Sequence, residues 1–189
     1  GVMLPNAAWR LVWALASLKN EQEEILVDGF YDTVAPVTES ERKVLEEFPY
    51  EEEKIKERYG IDHFLLNKTG YDLKERIYTQ PSLTICGIDA GEAAKGLRGV
   101  VPCQAKAKLS CRLMMNQNAE EIAQLIRDHF HKHGFDDIDV KIDGCISPVR
   151  TSVDIPLRTC LEHAASEVYE KPLVIELAQL GGGPAELFR

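Results

Sequence analysis

The stretch Val100–Met115 constrains the fold more than any other part of this sequence. From Cys103 onward every second residue is small or apolar: Cys103, Ala105, Ala107, Leu109, Cys111, Leu113 and Met115. The residues between are polar or cationic: Gln104, Lys106, Lys108, Ser110 and Arg112. Successive side chains of a strand point to opposite faces, so this pattern predicts one long strand with one face toward a core and one toward water.

The neighbouring segments supply the rest of a layer. Asn6 is placed to cap a helix over Ala7–Lys19, with Leu11, Leu15 and Leu18 at helical spacing and Trp9 and Trp13 close to the same side. Two tryptophans on one helix imply a large core or an interface, since tryptophan is enriched at interfaces. Ile25–Tyr31 and Ser82–Ile88 read as strands. Asn118 caps a second helix, with Glu121 at capping-box spacing, Ile122, Leu125, Ile126 and Phe130 along one face, and Gly134 as its stop. Phe135–Ile142 alternates like a fourth strand. Four strands and two helices predict an α+β fold: a two-layer sandwich of a four-stranded antiparallel sheet with two helices on one face, ferredoxin-like. Such a sheet leaves an edge strand open, and homodimerisation is one way to cover it.

Two segments stand apart from that pattern. Residues 33–80 are rich in Glu and Lys at helical spacing and predict a solvated helical insertion without chemistry. After Ser147-Pro148-Val149-Arg150 the chain predicts a helix at about Asp154–Glu170, a strand Leu173–Leu177 and the loop Gly181-Gly182-Gly183-Pro184. This partial α/β segment cannot bury itself alone. The expected division is 1–150, including the acidic insertion at 33–80, and 151–189 as an incomplete second domain.

Charge and cysteine content narrow the function classes. A formal net charge of -9 disfavours a nucleic-acid partner, because an acidic surface repels phosphate. No apolar run reaches the ~20 residues that span a bilayer. The opening Gly-Val-Met-Leu-Pro-Asn lacks the basic region and cleavage site of a signal peptide, and is unlike a natural start. Five cysteines at positions 86, 103, 111, 145 and 160 are odd in number and widely spaced, against both a disulfide framework and a closed zinc site. They are expected to be inert, with Cys103 and Cys111 on the apolar strand face, and the setting cytoplasmic. His63 and His133 lack a partner at ligand spacing in this reading and receive no role.

The best candidate for chemistry is Arg112, on the polar strand face with Lys106 and Lys108. A guanidinium can hold a carboxylate through two parallel hydrogen bonds. The bland alternative is that these cations only solvate an exposed face. The loop Asp89–Gly99, with Gly91, Gly96 and Gly99, could offer backbone N–H groups to an anion, a weaker signal.

The segments Pro5-Asn6-Ala7-Ala8-Trp9-Arg10-Leu11, Asp28-Gly29-Phe30-Tyr31-Asp32, Pro81-Ser82-Leu83 with Gly87-Ile88, Val101-Pro102 and Ser110-Cys111-Arg112-Leu113 resemble, in order, the lid domain of the aminoacylase, carnosinase and succinyl-diaminopimelate desuccinylase family of two-zinc metallopeptidases. Pro148–Thr151 through Gly181–Pro184 resembles the return into that family's catalytic domain, and the acidic insertion resembles the dipeptidase-like branch. The resemblance implies a fragment of a zinc-dependent exopeptidase or amidohydrolase that cleaves an amide bond near a free carboxylate. It implies two zinc ions held outside this chain, a homodimer formed through the lid, and a peptide or N-acyl amino acid substrate. Arg112 matches the lid arginine that grips the substrate carboxylate, and Gly181, Gly182 and Gly183 match a loop bordering that carboxylate. Gly182 stands where relatives often have serine, and Gly99 where they have threonine, which puts substrate choice in doubt. No catalytic residue and no metal ligand are carried over, so the fragment alone is expected to be inactive. Two other classes compete: a free-standing ferredoxin-like module for small-anion binding or assembly, and a thiol enzyme, for which no cysteine has a histidine partner.

Overall fold

The computed structural model describes residues 2–91, 99–169 and 173–180. These form a mixed α+β chain of six α-helices and one two-stranded antiparallel sheet. The chain divides into two compact units, 1–34 with 81–147 and 35–80 with 148–189.

In the first unit, α1 (Ala7–Leu18) begins where Asn6 Oδ1 accepts the N–H groups of Ala8 and Trp9 at 2.9 and 3.2 Å. That satisfies two of the donors a helix start leaves orphaned. The strands β1 (Ser82–Ala90) and β2 (Ala105–Arg112) pair antiparallel, with an irregularity between Ile85 and Gly87. Helix α5 (Ala119–Lys132) is capped by Asn118 and buries Ile122, Ile126, His129 and Phe130. The core joins Ala14 and Leu18 of α1, Ile25, Val27 and Phe30, Leu83 of β1 and the buried face of α5. Phe30 and Leu18 are sealed from solvent, and full burial of side chains of this size stabilises by about 1.5–3 kcal/mol each.

The alternation read from the sequence is realised along β2, where half-buried and exposed residues alternate from Ala105 to Arg112. Its length is shorter than expected. Cys103 lies before the strand and is exposed rather than facing the core. The four-stranded, ferredoxin-like sheet is not found among the described residues, which hold two strands. Ile25 makes a single bridge with Lys19. The chain then turns, with Phe30 N–H donating to Val27 O at 3.1 Å and Asp32 N–H to Gly29 O at 3.2 Å. Gly29 supplies the turn with φ +76°, a value costly for residues with a Cβ. Ile25, Val27 and Phe30 therefore reach the core from a turn, not a ladder. Likewise Phe135–Ile142 forms no strand. Phe135 N–H closes back on Phe130 O at 2.8 Å, and Ile138 and Val140 pack on the core without strand pairing.

Of the two places open to Trp9 and Trp13, a core or an interface, the core is not where they lie. Ala14 and Leu18 occupy the core, while the two indoles are more than half exposed and stack on each other with ring centroids 5.9 Å apart. With Val12 they form an apolar outer face of α1.

In the second unit, α2 (Glu39–Glu47), α3 (Glu52–Tyr59), α4 (Gly70–Thr79) and α6 (Pro156–Val168) are present. The acidic stretch is helical, as its charge spacing predicts, and α2 starts with a complete capping box between Thr38 and Glu41. It also has a core of its own: Val44, Leu45 and Tyr78 pack with Leu177, flanked by Phe48, Tyr71, Ile77 and Ile175. Leu177 thus joins a core, but Leu173–Leu177 is not a strand. Arg150 pairs with the buried carboxylate of Glu41, and Tyr78 donates its hydroxyl to Glu176 at 2.7 Å. Lys74, itself buried, donates to the Glu46 and Phe48 carbonyls at 3.0 and 3.1 Å, at the end of α2 where a cation favours the helix dipole.

Candidate functional site

The antiparallel register decides which side chains share the polar face of the sheet. Ser82 lies opposite Arg112, Thr84 opposite Ser110, Gly87 opposite Lys108 and Asp89 opposite Lys106. Directly opposed residues project to the same side, and all eight are exposed. The other side holds Leu83 with Cys111, Ile85 with Leu109 and Ile88 with Ala107. Leu83, Leu109 and Cys111 belong to the core.

Arg112 is therefore the terminal residue of a strand whose reverse face is anchored by Leu83 and Cys111. Lys108 and Lys106 follow at four and six residues' distance, so the cationic strip runs about 20 Å along β2 at ~3.4 Å per residue. Small hydroxyl residues (Ser82, Thr84, Ser110) surround the Arg112 end, whereas Asp89 faces Lys106 and offsets its charge. Opposite Lys108, Gly87 has nothing within 4 Å of where a Cβ would stand, leaving that part of the face open. A planar guanidinium on such a flat, hydroxyl-bordered surface can receive a carboxylate in two-point fashion.

The strip assembles the three cations that the sequence marks. Gly181, Gly182 and Gly183 lie outside the described residues, as does most of the loop Asp89–Gly99. Cys86, Cys103, Cys145 and Cys160 are exposed, Cys103 contrary to the core-facing place expected of it. Cys111 is half-buried, and burial pushes its thiol up to about 11, so it stays protonated and unreactive near neutrality. Among the described residues there is no group of three or more His, Cys, Asp or Glu side chains able to hold a metal ion. These residues do not fit a zinc centre. No helix among them is long and apolar enough to cross a membrane.

One feature escaped the sequence reading. His133 does have a partner, His129, one helical turn earlier, and the two rings stack with centroids 4.2 Å apart. His129 is 4% exposed. The i, i+4 spacing on α5 was the available signal.

Residues 2–137 match the family model described as peptidase dimerisation domain. The chain belongs to the peptidase dimerisation domain family. Within that family it is similar to the Cys-Gly metallodipeptidase DUG1 of Saccharomyces cerevisiae, at 31% identity over 119 residues, 63% of this chain and 24% of the relative. The Beta-Ala-His dipeptidase of Rattus norvegicus is 30% identical over 119 residues, 63% of this chain and 24% of the relative. Among solved structures, the M20 family metallo-carboxypeptidase Sso-CP2 from Sulfolobus solfataricus superposes with a TM-score of 0.91 at 29% identity, covering 99% of this chain and 48% of that one. This peptidase dimerisation domain chain thus spans about a quarter of the length of the curated relatives and about half that of the crystallised carboxypeptidase.

Proposed function

We propose that the chain is the lid and dimerisation part of a dipeptidase-type zinc hydrolase, and that Arg112 holds the free carboxylate of a peptide or N-acyl amino acid substrate. The observation that carries this reading is the placement of Arg112. It ends a strand whose opposite face is locked into the core, on a surface where hydroxyl groups border it. Fixing one end of a substrate converts recognition into positioning of the scissile bond. The similarity to metallodipeptidases supports the amide-hydrolysis class. The family resemblance also assigns Gly181, Gly182 and Gly183, outside the described residues, to substrate binding.

Zinc, in this reading, is bound by polypeptide outside these residues. Residues 1–150 form the lid with its acidic insertion at 33–80, and residues 151–189 begin the return to the catalytic domain. On helix α6, Leu157, Leu161 and Val168 form an exposed apolar stripe at helical spacing, and such a face ordinarily requires cover. The outer face of α1, with Trp9, Val12 and Trp13, is the homodimer contact. A cytoplasmic setting fits the unpaired cysteines.

The test is hydrolysis of Cys-Gly and β-Ala-His by a protein carrying this chain together with its metal-binding segment, before and after chelation. Cleavage that disappears with chelator and returns with zinc supports the reading. Cleavage indifferent to chelation, or none of any dipeptide, refutes it.

A further inference from the structure

We propose that His129 of helix α5, buried against Ser17 of helix α1 and stacked on His133, is an acid-sensitive latch that holds the two helices together. Unlike the lid reading, this rests on contacts within the first unit alone.

Ser17 of α1 and His129 of α5 meet at the centre of the latch, with Ser17 Oγ 3.1 Å from His129 Nε2. The Ser17 hydroxyl already donates its one hydrogen to the Ala14 carbonyl at 2.7 Å. Ser17 Oγ can then only accept, so Nε2 of His129 carries the hydrogen of the neutral ring. A second proton has to enter at Nδ1. It would place a full charge on a ring that is 4% exposed and stacked 4.2 Å from a second imidazole.

The groups around the ring oppose that charge on balance. Burial lowers the affinity of His129 for a proton most, and His133 and Lys132 of the same helix lower it further. Against them stand a hydrogen bond with the backbone of Ser17 and Asp28 from the turn after Ile25. Asp28 is engaged by Lys132, which offsets its carboxylate. The charged residues of α1 point elsewhere: Arg10 pairs with Asp137, and Lys19 at the end of the helix pairs with Glu23.

The sign follows from linkage. His129 holds its proton less tightly folded than unfolded, so its contribution is fully present above the unfolded value near 6.5. It is lost as pH falls toward the lower folded value. One such group raises the opening constant by at most tenfold per pH unit, hence by up to about tenfold between about pH 7.5 and pH 5.5. Acid therefore frees the inner side of α1, the helix whose outer side carries Trp9, Val12 and Trp13.

Both tryptophans of the chain lie on α1, so intrinsic fluorescence reports this helix. Urea unfolding followed by tryptophan emission should show the opening constant of the wild type rising up to about tenfold more over that pH range than that of His129→Gln. The glutamine amide can still donate to Ser17 but does not titrate. His133→Gln should fall between the two. An unchanged pH dependence in His129→Gln overturns the proposal, because the other four histidines are all exposed and remain in the variant. If His129→Gln does not fold, NMR titration of wild-type His129 decides. A midpoint below about 6.5 with the Nε2–H tautomer supports the latch, and a midpoint at or above the free value overturns it.

Discussion

The side-chain amide of Gln117 joins two loops of the first unit: its Nε2 donates to the Phe30 carbonyl at 2.7 Å, and its Oε1 accepts the Met114 N–H at 2.7 Å. Gln117 is 2% exposed. One polar residue thus satisfies a carbonyl of the turn around Gly29 and an amide of the β2–α5 connection. Replacing it with alanine leaves both groups without their partner, at a cost of about 1–3 kcal/mol for each one that water cannot reach. Urea unfolding of Gln117→Ala should show a loss in that range. A stability within 0.5 kcal/mol of wild type, about the scatter of surface substitutions, would show that water replaces the amide.

Cysteine reactivity separates one thiol from four. Cys86, Cys103, Cys145 and Cys160 are exposed, whereas burial holds the Cys111 thiol protonated up to about pH 11. Mapping of maleimide adducts by mass spectrometry near pH 7.5 should find Cys111 labelled last in the native chain and at a rate like the others in urea. Equal rates in the native chain would mean that β2 opens readily, since the thiolate is the reacting species.

In the second unit, Arg150 and Glu41 form an ion pair with side chains 17% and 9% exposed. Removing one partner of a largely buried pair strands the other charge and costs about 3–5 kcal/mol. Arg150→Met should be strongly destabilising by thermal unfolding, and the double change with Glu41→Met should recover most of the loss. A double variant as unstable as the single one would point to packing of the Arg150 stem rather than to charge.

How much of this was legible in the sequence depends on what fixed each feature. The caps at Asn6 and Asn118 and the alternation along β2 are local, and they read correctly. The segments 25–31 and 135–142 misread because alternation reports which side chains are buried, not whether the backbone finds a partner strand. Ile25, Val27, Phe30, Ile138 and Val140 all reach the core, but through turns at Gly29 and Gly134. The tryptophans stay open between core and interface in the sequence because Trp9 and Trp13 lie only part of a turn from the buried Ala14–Leu18 side. The exposed place of Arg112 on β2 follows from strand parity, while its role is a proposal that draws on the family resemblance. The His129–His133 stack is signalled by its i, i+4 spacing, but the burial of His129 against Ser17 depends on a tertiary contact that no local pattern contains.

The outer face of α1 makes the dimer reading testable. Trp9, Val12 and Trp13 are all more than two-fifths exposed. Aromatic anchors at the centre of an interface typically contribute about 2 kcal/mol or more each. Sedimentation of Trp9→Glu and Trp13→Glu should give monomer at concentrations where the wild type is dimeric. Dimers that persist in both variants would place the contact on another face.

The most direct test of the account compares dipeptides with free and amidated C-termini as substrates for a protein carrying this chain and its metal-binding segment. If Arg112 grips the carboxylate, Arg112→Ala lowers kcat/KM for the free-acid substrate by about 10- to 150-fold, the equivalent of 1.5–3 kcal/mol for a charged hydrogen bond. Amidation should cost the wild type a similar factor and the variant little more. An Arg112→Ala enzyme that still distinguishes acid from amide as strongly as the wild type would contradict the assignment.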